Sequence, residues 1–225
     1  YRAGVDLVHV FVPSNHYQQV SAFVPELIVH SLKGDFVTSD IVTRLSSHNF
    51  DSIVIGPGMG KKPESIDAVA KVILNFDNLV IDADAISRYN FCKKNVLLTP
   101  HKGELNNLGV KTDKEQLMKF SLESEATLLF KGKIDYITNG SNFKKNYTGH
   151  PRLAVGGTGD LLAGICGGLM GRGLTAFEAA RLGSYVIGLA GEICFEENGS
   201  GFLPSELALC VSKIFGKIWL SFPWW

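Results

Sequence analysis

The feature that most constrains this chain is a rhythm. Short apolar runs alternate with longer stretches whose apolar residues recur at helical spacing. The runs are VDLVHVFV (5–12), SIVIGPG (52–58), NLVIDADA (78–85), NVLLTPH (95–101), TLLFKG (127–132) and DYITNG (135–140). Strands that read as nearly unbroken apolar runs are covered on both faces, as in a parallel sheet. Between them, 64–75, 113–124, 160–171 and 175–197 predict helices. In the last of these, Ala179, Leu182, Val186 and Ala190 share one face. Asp113 and Thr175 are suited to cap the helices they precede. The order predicts an α/β layered domain, a mostly parallel central sheet between helices with right-handed crossovers. At 225 residues and 45% hydrophobic content, the chain can bury one sizeable core, and no linker or repeat divides 1–225.

Composition narrows the function by exclusion. Twenty-two basic and 22 acidic residues cancel, and no basic stripe points to nucleic acid or a membrane surface. No apolar run reaches the roughly 18 residues of a membrane span. The small-xxx-small spacings Gly164–Gly168 and Gly167–Gly171 therefore predict close packing of a soluble helix. Cys92, Cys166, Cys194 and Cys210 form no CxxC pair, so a reducing, cytoplasmic setting is expected. Asn139, Asn146 and Asn198 each begin an N-x-S/T triplet and read as turn asparagines. The chain begins at Tyr1 and runs at once into a strand, so a preceding segment is expected.

In such a sheet, ligands collect beyond the carboxyl ends of the strands. Five segments lie there: GPGMG (56–60), DADAI (82–86), TPHKGE (99–104), KGK (131–133) and GGTGD (156–160). A glycine-rich turn opening a helix directs backbone N–H groups and the helix dipole at an anion. An acid behind it, Asp160, can take a proton from a hydroxyl while the turn holds the group in transfer. The competing reading makes Asp160 a helix cap. GPGMGKKP is not a phosphate-binding P-loop, because Ile55 replaces the first glycine and Lys62 the Ser/Thr. Asp82 and Asp84, at i and i+2, can hold Mg²⁺ through water, or hydrogen-bond the next loop. His101 and Glu104 follow a proline, and the histidine either meets a ligand or is structural. Lys131 and Lys133 either face a nucleotide or are solvated.

In this order the motifs resemble the ribokinase-like superfamily, and within it the ADP/ATP-dependent NAD(P)H-hydrate dehydratases. The resemblance rests on RAGVDLV (2–8), VIGPGMG (54–60), VIDADAI (80–86), LLTPHKGE (97–104), LFKGKIDYITNG (129–140), GGTGDLLAGICGGLMGRGLTAFEAA (156–180) and YVIGLAGE (185–192). It implies a three-layer α/β/α sandwich. It implies phosphorylation of the ring hydroxyl of hydrated NADH or NADPH by ADP or ATP with Mg²⁺, then loss of phosphate. Gly157, Thr158 and Gly159 would form the anion hole and Asp160 the base. Gly60 (rather than Gly58), His101 and Asp160 would contact the hydrate. Lys131, Gly132, Lys133, Ile134, Asp135 and Gly159 would bind the nucleotide, and Asp82 or Asp84 would position Mg²⁺ through water. A vitamin-precursor kinase, such as one for hydroxyethylthiazole, and a non-catalytic nucleotide-binding homologue are the alternatives. The chain departs from the family's pattern in three places. It shows no front glycine-rich turn, Ile187 stands where many members have histidine, and Leu203-Pro204 replaces Thr-Ala. The glycine-rich helix and the aromatic tail IWLSFPWW (218–225) lead to an expected homo-oligomer, with small molecules as the other partners.

Overall fold

Alternation within the strands builds three layers. The computed structural model describes residues 1–87, 89, 91 and 95–220, side chains of 219 and 220 excepted. Six strands form one sheet: β3 (Ile53–Ile55), β4 (Leu79–Ile81), β5 (Val96–Leu98), β6 (Thr127–Phe130), β7 (Asp135–Thr138) and β8 (Phe143–Asn146). They lie in chain order, parallel from β3 to β6 and antiparallel from β6 to β8. Successive side chains on a strand point to opposite faces. Accordingly Leu79 and Ile81, Val96 and Leu98, and Leu128 enter one core, while Val80, Leu97 and Leu129 enter the other.

The first core is closed by α2 (Ile41–Ser46), α3 (Pro63–Asn75) and α5 (Lys114–Ser124). The second is closed by α6 (Thr158–Gly171), α7 (Ala176–Asn198) and α8 (Pro204–Leu220). The short helices α1 (Tyr17–Phe23) and α4 (Lys102–Asn107) complete the set. The helix starts follow the sequence closely. Asp113 accepts the Gln116 N–H at the head of α5, and Thr175 and Glu178 form a reciprocal capping box at the head of α7. Pro63 stands at the first position of α3, where its missing N–H costs nothing.

The glycines of α6 act where the sequence placed them. A Cβ on Gly167 would come within 2.3 Å of Val54, and one on Gly168 within 2.8 Å of Ala3. α6 therefore lies directly on β3 and β4 within its own chain. No helix among the described residues is long and apolar enough to cross a membrane.

Three findings differ from the sequence reading. The first strand, β1 (His9–Pro13), pairs among the described residues only with β2 (Ile28–Leu32), a parallel partner that the sequence reading lacked. β8 is a polar edge strand whose FKKN carries no apolar run. α8 buries Leu207, Cys210, Val211, Ile214 and Phe215, a helical period lying just beyond the segments read as helical. Asn139 does form a side-chain turn, accepting the Ser141 and Asn142 N–H groups. Asn146 instead ends β8 and is buried. Cys92 and most of the aromatic tail lie outside the described residues.

Candidate active site

Each strand-end motif touches the next. After β3 the chain turns at Gly56, whose φ is +123°. A Cβ there would sit 1.8 Å from the Asp82 carbonyl oxygen, so only glycine lets the GPGMG turn lie against the end of β4. The Gly60 N–H donates to Asp84 Oδ2 at 3.1 Å, and Lys61 Nζ lies 3.8 Å from Asp84 Oδ1. Ala83, between the two aspartates, holds φ at +50°. A left-handed backbone at a non-glycine residue costs on the order of 1 kcal/mol and marks a turn held by its surroundings.

Asp82 is 1% exposed, yet it is not left unpaired. Its Oδ1 accepts the Thr99 hydroxyl at 2.7 Å and the Lys131 ammonium at 2.8 Å. A buried carboxylate is tolerated only when paired and hydrogen-bonded, and these two partners supply that. Lys131 in turn reaches the head of α6, where a Cβ on Gly159 would lie 3.3 Å from its Nζ. DADAI, TPHKGE, KGK and GGTGD thus meet around one ammonium group.

Gly157 caps α6 with φ +94°, a left-handed backbone that glycine adopts freely. The cap is therefore Gly157, and Asp160 sits exposed in the first turn instead. Helix geometry leaves the Gly159 and Asp160 amides without intrahelical acceptors, so they add to the dipole at this end. Thr158 is 7% exposed, and its Oγ1 has no hydrogen-bond partner. A buried hydroxyl without a partner costs about 1–3 kcal/mol, so it marks a place where a ligand atom fits.

His101 is the N-cap of α4. Its Nδ1 accepts the Glu104 N–H at 3.1 Å, and Glu104 Oε2 accepts the His101 N–H at 2.8 Å. This fixes the tautomer: with Nδ1 as acceptor, the neutral ring carries its proton on Nε2. The side chain is 59% exposed, so that Nε2–H is free to donate outward. Cap and contact residue are compatible roles for one ring.

In the nucleotide segment, Asp135 Oδ1 accepts the Gly132 N–H and Oδ2 accepts Asn146 Nδ2, each at 3.0 Å. Asn146 also donates to the Ser184 carbonyl, tying β8 to α7. Burial raises the Asp135 carboxyl above its ordinary range, against the opposing pull of Asn146, Gly132 and Lys131. Lys133 and Gly132 are exposed, and Ile134 is half-buried. From sequence neither Thr99 nor Asn146 has a place in the site, and Asn146 reads as a turn asparagine. Thr99 sits inside TPHKGE, where a hydroxyl directly after β5 was a usable signal. Asn146 had none, because its role depends on β8 lying beside β7.

Comparison with known proteins follows the same line. A family model described as NAD(P)H-hydrate dehydratase matches residues 1–213. A bifunctional NAD(P)H-hydrate repair enzyme of Methanothermobacter thermautotrophicus is 31% identical over 95% of this chain and 45% of its own length. The chain thus spans about half the length of the first curated relatives it matches. An ADP-dependent (S)-NAD(P)H-hydrate dehydratase of Cenarchaeum symbiosum is 31% identical over 88% of this chain and 74% of its own. A Bacillus subtilis ADP/ATP-dependent NAD(P)H-hydrate dehydratase co-crystallised with ATP/Mg²⁺ superposes with a TM-score of 0.83. That match has 23% identity and covers 96% of this chain and 80% of the other. Likeness at this identity shows the fold, a ribokinase-like three-layer α/β/α sandwich. With a family model matching residues 1–213, the chain belongs to the NAD(P)H-hydrate dehydratase family.

Proposed function

We propose that this chain restores hydrated NADH or NADPH by phosphorylating the ring hydroxyl with ADP or ATP and expelling phosphate. The observation that carries the reading is the head of α6. There the Lys131 ammonium lies beside Gly159, and the Thr158 hydroxyl in the same first turn is buried without a partner. Lys131 and the helix N-terminus offer positive charge there, and no protein acceptor meets the Thr158 hydroxyl, as a transferring phosphoryl group requires.

In the reaction, Asp160 takes the proton of the ring hydroxyl as the hydroxyl oxygen attacks the terminal phosphorus, and the bridging phosphorus–oxygen bond breaks to release AMP from ADP or ADP from ATP. Gly157, Thr158 and Gly159 hold the phosphoryl oxygens. Lys131, fixed by Asp82, keeps its charge on the nucleotide side, next to Gly132, Lys133, Ile134 and Asp135. Gly60 and His101 contact the hydrated ring, His101 as a donor through Nε2. Phosphate then leaves with the carbon–oxygen electrons, helped by the ring nitrogen, and a proton is lost from the neighbouring ring carbon. Hydroxide is a poor leaving group and phosphate a good one, which is why a dehydration needs a phosphoryl donor.

The Asp84 side chain is 34% exposed and offers hard oxygen donors, a set that fits water-mediated Mg²⁺. Asp84, with Asp82 behind it, would position the ion through water, and the ion would neutralise charge on the nucleotide's phosphates. Titrating Mg²⁺ is part of the test. The same reading has residues 1–225 act as one catalytic domain. It places the protein in the cytoplasm, supported by three free buried thiols. It includes self-association, supported by the exposed Leu7, Phe23 and Ile28 and tested by sedimentation.

The deciding assay mixes hydrated NADH with the protein. Recovery of the reduced-nicotinamide absorbance is expected only with ADP or ATP plus Mg²⁺, with one phosphate released per turnover. Asp160→Asn should slow it by about 10²–10⁴-fold while leaving the fold intact. Recovery without nucleotide would overturn the reading. A stable phosphorylated product from a vitamin precursor would point to the kinase branch instead.

A further inference from the structure

Among the described residues, the one dense cluster of potential metal-ligating side chains lies outside the proposed site, on the β1–β2 unit. We propose that His9, His30 and His48 bind a divalent transition-metal ion of the imidazole-preferring class, Zn²⁺ foremost. The strand register makes the arrangement. His9 pairs with Ile28, and Phe11 pairs with His30, so His9, Phe11 and His30 project from one face of the parallel pair. His48 arrives from the turn that follows α2. One nitrogen from each ring lies within 4.8 Å of the other two. His9 Nδ1 and His30 Nε2 are only 2.9 Å apart.

Two ring nitrogens at that distance need something between them, either one shared proton or one metal ion. Tetrahedral zinc with Zn–N bonds of about 2.0–2.1 Å sets its nitrogens roughly 3.3 Å apart. The His9–His30 pair has only to open by a few tenths of an ångström. His48 has the support that a ligating histidine usually has. Its Nδ1 lies 3.3 Å from the Arg44 carbonyl and 3.0 Å from Ser47 Oγ. An Nδ1–H donated to that carbonyl leaves Nε2 as the free lone pair.

The rings are also held from outside. Phe11 stacks on His30 at 4.5 Å, and Phe50 stacks on His48 at 5.3 Å while meeting His9 edge-on. No carboxylate belongs to the cluster, so it suits zinc, copper, nickel or cobalt and not the Mg²⁺ of the phosphoryl site. The Arg44 guanidinium, near His30, works against any cation, yet three imidazoles in contact still form an N-donor set. His48 is exposed, which leaves the fourth position to water. Such an ion would clip β1 and β2 to the segment leading into β3. β1 and β2 pair only with each other, so this join carries no strand hydrogen bonds among the described residues.

The test uses tag-free protein stripped with chelator and dialysed. Zn²⁺ is titrated calorimetrically, and Co²⁺ is added as a spectroscopic probe. One equivalent per chain, a rise in Tm and the visible d–d bands of a four-coordinate cobalt site are expected. His48→Gln alters an exposed turn residue and should weaken binding at least tenfold without unfolding the chain. His30→Ala should do the same, while His16→Ala and His150→Ala should leave binding unchanged. Absence of one-equivalent binding, or binding that survives both His48→Gln and His30→Ala, overturns the proposal. Every readout is independent of hydrate turnover, so failure here leaves the proposed reaction standing, and the reverse.

Discussion

At the scale of single residues, the telling contact is Lys131 on Asp82. The carboxylate is fully buried, while the ammonium is partly open towards α6. A buried pair adds little net stability over an apolar pair, but breaking it strands a charge. Lys131→Met should therefore cost about 3 kcal/mol in chemical denaturation. It should also remove the cation beside Gly159 and with it nucleotide-dependent turnover. Adding Asp82→Asn to that variant should restore most of the stability and none of the turnover. Full additivity of the two changes would show that the pair is not coupled. The distinction matters because DADAI reads from sequence either as holding Mg²⁺ through water or as hydrogen-bonding the next loop. In the structure one acid anchors a lysine, and the other receives a backbone N–H. Spacing placed both acids at the strand end. It carried no information on which cation Asp82 meets, since Lys131 lies 49 positions away.

At the scale of elements, glycines in helices sort into two kinds. Gly188 of α7 faces the loop after β8, and a Cβ there would sit 2.1 Å from Thr148 Oγ1 and 2.7 Å from that residue's backbone carbon. Gly164 of α6 is exposed, and a Cβ would meet nothing within 4 Å. Gly188→Ala should destabilise by about 1–3 kcal/mol through overpacking. Gly164→Ala should stabilise by about 0.5–1 kcal/mol through backbone entropy and helix propensity. Equal effects on the denaturation midpoint would sink the assignment. The elements that the sequence announced share a property: their signal is local. α3, α5, α6 and α7 carry caps and periodic faces, and β4, β5 and β6 are unbroken apolar runs. The strands β2 and β8 were missed because their pairing, not their composition, makes them strands. IVHSL in β2 sets adjacent half-buried Val29 and His30 between exposed Ile28 and Ser31 and buries only Leu32, and FKKN in β8 is held at its end by Asn146. The site was legible because glycines, acids and lysines at strand ends have few other uses in such a sheet. The His9–His30 pairing was not legible, because it required knowing that β1 lies beside β2.

At the scale of the whole molecule, one core ties the glycine-rich turn before α6 to the chain's last described helix. Cys166 on α6, Cys194 on α7 and Cys210 on α8 all lie in it, at 0–3% exposure. Burial raises Cys166 far above a free thiol. Burial, with the Cys210 sulfur 2.9 Å away, pushes Cys194 up to about 12. The thiolate is the reactive form, so at neutral pH Cys166 and Cys194 are protected both by access and by protonation, and Cys210 is protected by access. α6, α7 and α8 pack on one another, and Pro204 at the head of α8 approaches Gly157 to within 3.5 Å of a built Cβ. Opening one helix therefore means opening the core and the glycine-rich turn together. Thiol labelling followed by peptide mass analysis tests this directly. In native conditions the three cysteines should label slowly and with one common rate. Denaturant should raise all three rates with the slope of global unfolding, and loss of turnover should keep pace. Early labelling of Cys210 alone would show that α8 opens by itself. The glycine-rich turn would then be built on a layer less cooperative than the shared core implies.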